Sequence, residues 1–190
     1  QNLENLSKFL FHNIGNRASV RKIADTLKSQ GKGVDQKTVE KYMRGLIDGL
    51  LLYEARRYNI KGRQHLTTQS KYYAVDIGLR NLLVRGQEAD HGYVLENLVY
   101  LELIRRGYDT FVGQLDDGEV DFVTKTPDGT AYFQVATSAL NENVLQRELF
   151  PLRKIVDNYP KYLLTLDEAF ASADYQGIRK MNVIDWLLGD

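Results

Sequence analysis

The chain contains no cysteine. That excludes disulfides and thiolate metal sites, and it fits an intracellular, cytoplasmic protein. No apolar run approaches the roughly 20 residues that a bilayer-spanning helix needs, and no signal peptide opens the chain, so no membrane partner is expected. No G-x-x-x-x-G-K-[ST] occurs, which excludes nucleotide binding of the P-loop kind within this stretch. The three histidines, His12, His65 and His91, are dispersed and lack ligand spacing. Repeats and low-complexity segments are missing too. The chain begins with Gln1 rather than Met, which points to a fragment or a processed chain.

What is present is ordinary globular material: 190 residues, 43% hydrophobic and 26% charged, enough for one or two domains. The net charge is zero, but it is unevenly spread. Residues 1–75 carry 14 Lys+Arg against 6 Asp+Glu, and residues 76–190 carry 11 against 19. Such asymmetry predicts two modules, 1–75 and 76–190. The basic half either faces a polyanion or docks on an acidic neighbour.

In the basic half, residues 3–14 place apolar side chains at 3, 6, 9, 10 and 14, a helical period closed by Gly15. Residues 19–28 read as a second helix with Ser19 as N-cap. After the break Gly31-Lys32-Gly33, Asp35 opens a third helix with an apolar rear at Val39, Tyr42, Met43, Leu46, Ile47 and Leu50. Three helices with a glycine-containing turn before the third form the helix-turn-helix pattern. Residues 51–60 and 71–76 read as strands around residues 61–70, like the wing of a winged helix. In a DNA-binding version, Gln36, Lys37, Glu40, Lys41 and Arg44 would face bases. Arg56, Arg57, Lys61 and Arg63 would face phosphates. The alternative is a solvated basic face on a domain that connects proteins.

Residues 76–85 read as a linking helix. The acidic half is then organised around residues 90–136, read as helix, strand, turn, strand, turn, strand. The helix, residues 90–108, has Asp90 as N-cap and Gly107 as the terminating glycine. Its apolar residues run nearly all round, which predicts burial. Glu96 nevertheless stands among them, on a face with Val99, Tyr100 and Leu103. A carboxylate there must be paired, protonated or bound to a cation. The strands 119–125 and 131–137 flank the turn 127–130 as a hairpin. Alternation places Val120 and Phe122 on one face, Glu119, Asp121 and Val123 on the other, and Tyr132, Gln134 and Ala136 together on the next strand. Residues 141–155 read as a helix kinked or ended by Pro151, 162–166 as a buried strand, and 178–188 as a strand and a short helix with Trp186 in the core.

An acid in a buried helix, an acid in a strand and a polar residue on the next strand resemble the PD-(D/E)XK nucleases. Glu96 matches their helix acid and Asp121 their strand acid. Gln134-Val135-Ala136 stands where they carry E-x-K, so the second acid and the lysine are both missing. Residues 71–190 also resemble a C-terminal domain of unknown function of prokaryotic AAA+ ATPases. The phrases that carry this are KYYAVDIGLRNLL, GYVLENLVYLELIRRGY, GEVDFV, YFQVA, RELFPLRKIVDNYPKYLLTLD and VIDWLL. The resemblance implies an α+β or α/β chain, with a winged helix-turn-helix followed by a restriction-endonuclease-like mixed sheet flanked by helices. It also implies an ATPase module upstream of Gln1, with ATP bound only there.

As chemistry, Glu96, Asp121 and the Val135 carbonyl could offer oxygens to Mg²⁺ or Mn²⁺, while Gln134, in the degenerate catalytic position, can hydrogen-bond but carries no charge to hold a cation. Lys125 lies on the Asp121 face but roughly 13 Å along the strand, too far to replace the lost lysine. The bland readings are a buried ion pair for Glu96, with Arg147 as the partner, and a fold-supporting contact for Asp121. Three functions follow as expectations: a catalytically degenerate nuclease-like accessory region with a winged helix for DNA binding or interdomain coupling, an active divergent metal-dependent nuclease, or a protein–protein interaction module.

Overall fold

The computed structural model describes residues 2–31, 33–84, 91–127 and 129–189, and of residues 67 and 68 the backbone alone. Asp90 as N-cap, Asp128 in the turn, Lys32 in the glycine break and Arg85 at the end of the linking helix lie outside the described residues. The chain forms two compact units. One comprises Gln1–Arg56 and Thr67–Ala89, the other Arg57–Leu66 and Asp90–Asp190.

The first unit opens with α1 (Asn2–His12), α2 (Val20–Ser29) and α3 (Gln36–Asp48). The caps read from the sequence are in place. Ser19 Oγ accepts the Lys22 N–H at 3.2 Å, and Asp35 accepts both the Thr38 N–H at 3.0 Å and its hydroxyl at 2.7 Å. Leu6, Leu10, Phe11, Ile23, Leu27, Val39, Met43 and Leu46 form the core, while Leu3 is left exposed. A hairpin follows, β1 (Leu52–Asn59) and β2 (Gln64–Ala74), then α4 (Ile77–Leu83). An isolated antiparallel bridge joins Arg17 to Lys71. β2 starts at Gln64, earlier than residue 71, because the reversal is tight: Asn59 Oδ1 accepts the Gly62 N–H at 2.6 Å, and Arg63 adopts φ 51°.

The second unit contains α5 (His91–Arg105), β3 (Asp109–Leu115), β4 (Gly118–Thr126), β5 (Gly129–Ala136), α6 (Glu142–Arg153), β6 (Lys161–Thr165), β7 (Ala173–Asp174), β8 (Ile178–Asn182) and α7 (Val183–Leu188). The mixed sheet has the strand order β2-β1-β3-β4-β5-β6-β8-β7, with β1 entering through Arg57–Asn59, parallel to Val112–Gln114. The β3–β4–β5 meander is antiparallel, and β5, β6 and β8 run parallel. Helix α6 is the crossover between β5 and β6.

Both sheet faces are covered. Leu145, Leu149 and Leu152 of α6 pack with Val120, Val123, Tyr132 and Leu163 on one. On the other, Tyr100 of α5 meets Phe122 at 5.8 Å, and Trp186 of α7 meets Phe133 at 5.8 Å. The α5 stripe of Glu96, Val99, Tyr100 and Leu103 is buried as its spacing implies, but Leu98 is 40% exposed, so the helix is not enclosed all round. Gly107 ends it at φ 79°, with the Tyr108 N–H reaching the Leu103 carbonyl at 3.1 Å, the pattern of a left-handed terminating glycine.

Candidate functional site

The strand acid stands in an irregularity that alternation alone misses. Phe111 pairs with Val123 and Gly113 with Val120, so Val112 faces both Asp121 and Phe122. This is a β-bulge in β4, a device that re-aims a side chain. It also breaks the expected faces. Val120 and Val123 lie on one side together, both over Gly113, while Phe122 turns to α5. The expectation of Val120 with Phe122, opposed to Val123, is corrected by that one extra residue.

In the bulge, Asp121 Oδ2 accepts the Val135 N–H at 2.9 Å. The Asp121 N–H points to Gln134 Oε1 at 3.4 Å. The Gln134 amide nitrogen donates to Glu148 Oε2 at 3.0 Å, and Arg147 holds Glu148 Oε1 from Nε at 3.0 Å and from its terminal nitrogen at 2.8 Å. Gln134 and Glu148 are both buried. A neutral amide thus bridges a strand backbone and a buried helix carboxylate, using its acceptor toward one and its donor toward the other.

Glu148 was not among the residues read from the sequence. Its signal was there: it falls on the buried α6 stripe of Leu145, Leu149 and Leu152, where a charge needs a partner. Arg147, suggested for Glu96, lies on Glu148. Glu96 is itself buried in α5. Lys125 sits 3.7 Å over the Tyr58 ring, a cation–π contact that occupies it away from Asp121.

Among the described residues, no three His, Asp or Glu side chains converge as metal ligands. Both Glu148 oxygens and one Asp121 oxygen accept hydrogen bonds from the protein, and Gln134 brings no charge. As arranged, this donor set does not fit the hard divalent cation that the nuclease resemblance implies.

The basic residues fall into both units. Lys37, Lys41 and Arg44 are exposed along α3, with Arg44 3.6 Å from Glu40. Arg56 is exposed near Glu54. Arg57 does not join them as a phosphate contact: it is 9% exposed, and its guanidinium donates to Gln114 Oε1 within the second unit. Lys61, exposed, pairs with Asp116 at 2.8 Å, and Arg63 is exposed in the turn.

Two further ionic groups define the second unit. Asp167 and Lys180 form a buried pair at 2.7 Å. Burial pushes the Asp167 carboxyl up, but hydrogen bonds from Lys180, Ser138 and the Ala139 N–H outweigh it and hold the group at about 2. Glu102 is held at about 2 chiefly by its hydrogen bond from Arg105, against burial and with help from Arg106. No described helix is long and apolar enough to cross a membrane.

Residues 1–90 match a family described as Domain of unknown function (DUF8612). An uncharacterized protein of Haemophilus influenzae is 38% identical over 186 residues, covering 98% of this chain and 46% of that protein. An uncharacterized protein of Methanocaldococcus jannaschii is 27% identical over 189 residues, covering 95% of this chain and 40% of that protein. The chain therefore spans less than half the length of these curated relatives.

Proposed function

We propose that this chain is an accessory region of a larger prokaryotic ATPase of the AAA+ type, pairing a winged helix with a nuclease-like domain whose catalytic position is degenerate. The observation that carries this reading is the Gln134 amide. It occupies the place of the nuclease second acid and is locked between the Asp121 N–H and Glu148 Oε2. A side chain fixed in this way stabilises the β4–β5–α6 junction instead of holding a cation. The order of helices, the Arg17–Lys71 bridge and the β1–β2 hairpin support the winged-helix reading of the first unit. The exposed Lys37, Lys41 and Arg44 support α3 as its DNA-facing helix. Relatives more than twice the length of this chain have room for the ATPase module.

The test is a gel series with branched and linear duplex DNA, with Mn²⁺ or EDTA, at two salt concentrations. The reading expects a salt-sensitive shift without cleavage, lost in Lys37→Glu/Lys41→Glu/Arg44→Glu. Cleavage that needs Mn²⁺ and disappears in Asp121→Ala would make the chain an active nuclease. No shift in any condition would leave a protein-coupling module.

A further inference from the structure

A second feature lies on the sheet face opposite the Gln134–Glu148 contact. Cross-strand register lines up Phe122 with Phe133, Phe133 with Tyr162, and Tyr162 with Arg179. Side chains in register on neighbouring strands share a face. Here they make a row of three aromatic rings ending in a guanidinium. Phe133 and Tyr162 stack, with centroids 5.0 Å apart and planes 18° from parallel.

The row runs into a pocket of about 390 Å³ that Tyr108, Tyr159, Arg106 and Trp186 also line. That volume falls in the small-molecule range of roughly 300–1,000 Å³. Among the described residues no Asp or Glu lines it, although residues 76–190 carry an acidic excess.

The two cations differ in what they are doing. Arg106 is committed to the fold: its Nε donates to Glu102 at 2.6 Å, a terminal nitrogen to the Trp186 carbonyl at 2.5 Å, and its guanidinium lies 4.2 Å over the indole. Arg179 is exposed and makes no ion pair among the described residues. Its neighbour on β7, Asp174, accepts the Gly177 N–H at 2.9 Å. Arg179 is therefore the cation available to a ligand. Tyr159, 44% exposed, is the ring most open to one.

From this juxtaposition we propose that the pocket formed by Tyr108, Tyr159, Tyr162, Trp186 and Arg179 binds a nucleotide, with the base against the tyrosine rings and the phosphate on Arg179. A planar ring stacks on aromatic faces whatever its sequence, and a guanidinium fork matches phosphate oxygens. A ligand with only one of these features would leave half of the site unused. The nucleotide comes either free or as part of a single strand, and both present the same chemistry.

Trp186 is the only tryptophan of the chain, so its fluorescence reports on this pocket directly. The intact chain is titrated with adenosine monophosphate, adenosine, inorganic phosphate and a short oligothymidylate. A saturable change is expected with the nucleotide, at least tenfold weaker with adenosine or phosphate alone. Tighter binding of the oligonucleotide than of the mononucleotide would identify a single strand as the source, and the reverse a free nucleotide. Arg179→Ala is expected to weaken binding tenfold or more and Tyr159→Ala severalfold, with unchanged circular dichroism and melting temperature. The proposal is overturned by no response to any nucleotide at millimolar concentration, checked by saturation-transfer NMR. Equal affinity in folded Arg179→Ala and Tyr159→Ala would overturn it as well.

Discussion

Gly113 shows how one side chain too many would disturb the sheet. A Cβ there would meet Val123 Cγ2 at 2.7 Å, Ile60 Cδ1 at 3.0 Å and Val120 Cβ at 3.1 Å. These are short, branched or buried groups with little room to give. Gly113→Ala is expected to destabilise by about 1–3 kcal/mol, the usual cost of overpacking, read as a lower denaturant midpoint. Gln134→Glu should also destabilise, by about 1–3 kcal/mol near neutral pH, because a second carboxylate would replace the amide that donates to Glu148. Protonation relieves that repulsion, so the variant should lie closer to the parent at pH 5 than at pH 7.5; an equal deficit at both would remove the like-charge explanation. The buried Asp167 works in the opposite sense. Its folded value of about 2 lies below the ordinary 3.8, so its contribution is fully present above about pH 4 and is lost as the pH falls through 2. A shift of that size corresponds to about 2 kcal/mol. Lys180→Met, which strands the carboxylate, should cost about 3–5 kcal/mol at pH 7 and progressively less in acid. Urea titrations at several pH values would settle the sign.

At the scale of elements, what was legible followed period and punctuation. The buried face of α5, the Gly107 terminus, the capped starts of α2 and α3 and the β4–β5 hairpin all rest on residue spacing and local hydrogen bonds, which a sequence carries directly. The bulge did not, because its two-against-one pairing depends on how β3 aligns with β4. Helix α6 combines both kinds of information. Asn141 caps it, its Oδ1 accepting from Asn143 and Val144, and the helix ends at Arg153, two residues beyond Pro151. Asn141→Ala should lower stability by about 1 kcal/mol and Asn141→Gly by only a few tenths, since glycine is itself an acceptable N-cap. Equal losses in the two would mean that the side-chain bond is not what holds this end. Glu148 was missed as a site residue for a related reason. Its position on the apolar stripe was visible, but its partner Gln134 comes from a strand 14 residues away.

For the molecule as a whole, the hairpin decides what a stable piece must contain. Its tip, Arg57–Leu66, belongs to the second unit, where Arg57–Asn59 pair with β3 and Tyr58 and Ile60 enter the core. A chain cut to residues 76–190, where the charge balance changes sign, would lose those residues and expose β3 as an edge. That fragment is expected to aggregate or bind a hydrophobic dye, whereas residues 52–190 should unfold cooperatively. A monomeric 76–190 fragment with undiminished stability would refute this. Composition predicted two modules of opposite charge, while periodicity and capping by themselves determined most helices and strands and the stripe that buries Glu96. Each of these is a local or additive property of neighbouring residues. Only the tertiary structure decided that Asp121 sits in a bulge, that Gln134 is tied to Glu148, that Arg57 is spent on Gln114, and that Arg179 ends an aromatic row. Those facts depend on strand register and on contacts between residues far apart in the chain, which no single stretch of sequence contains.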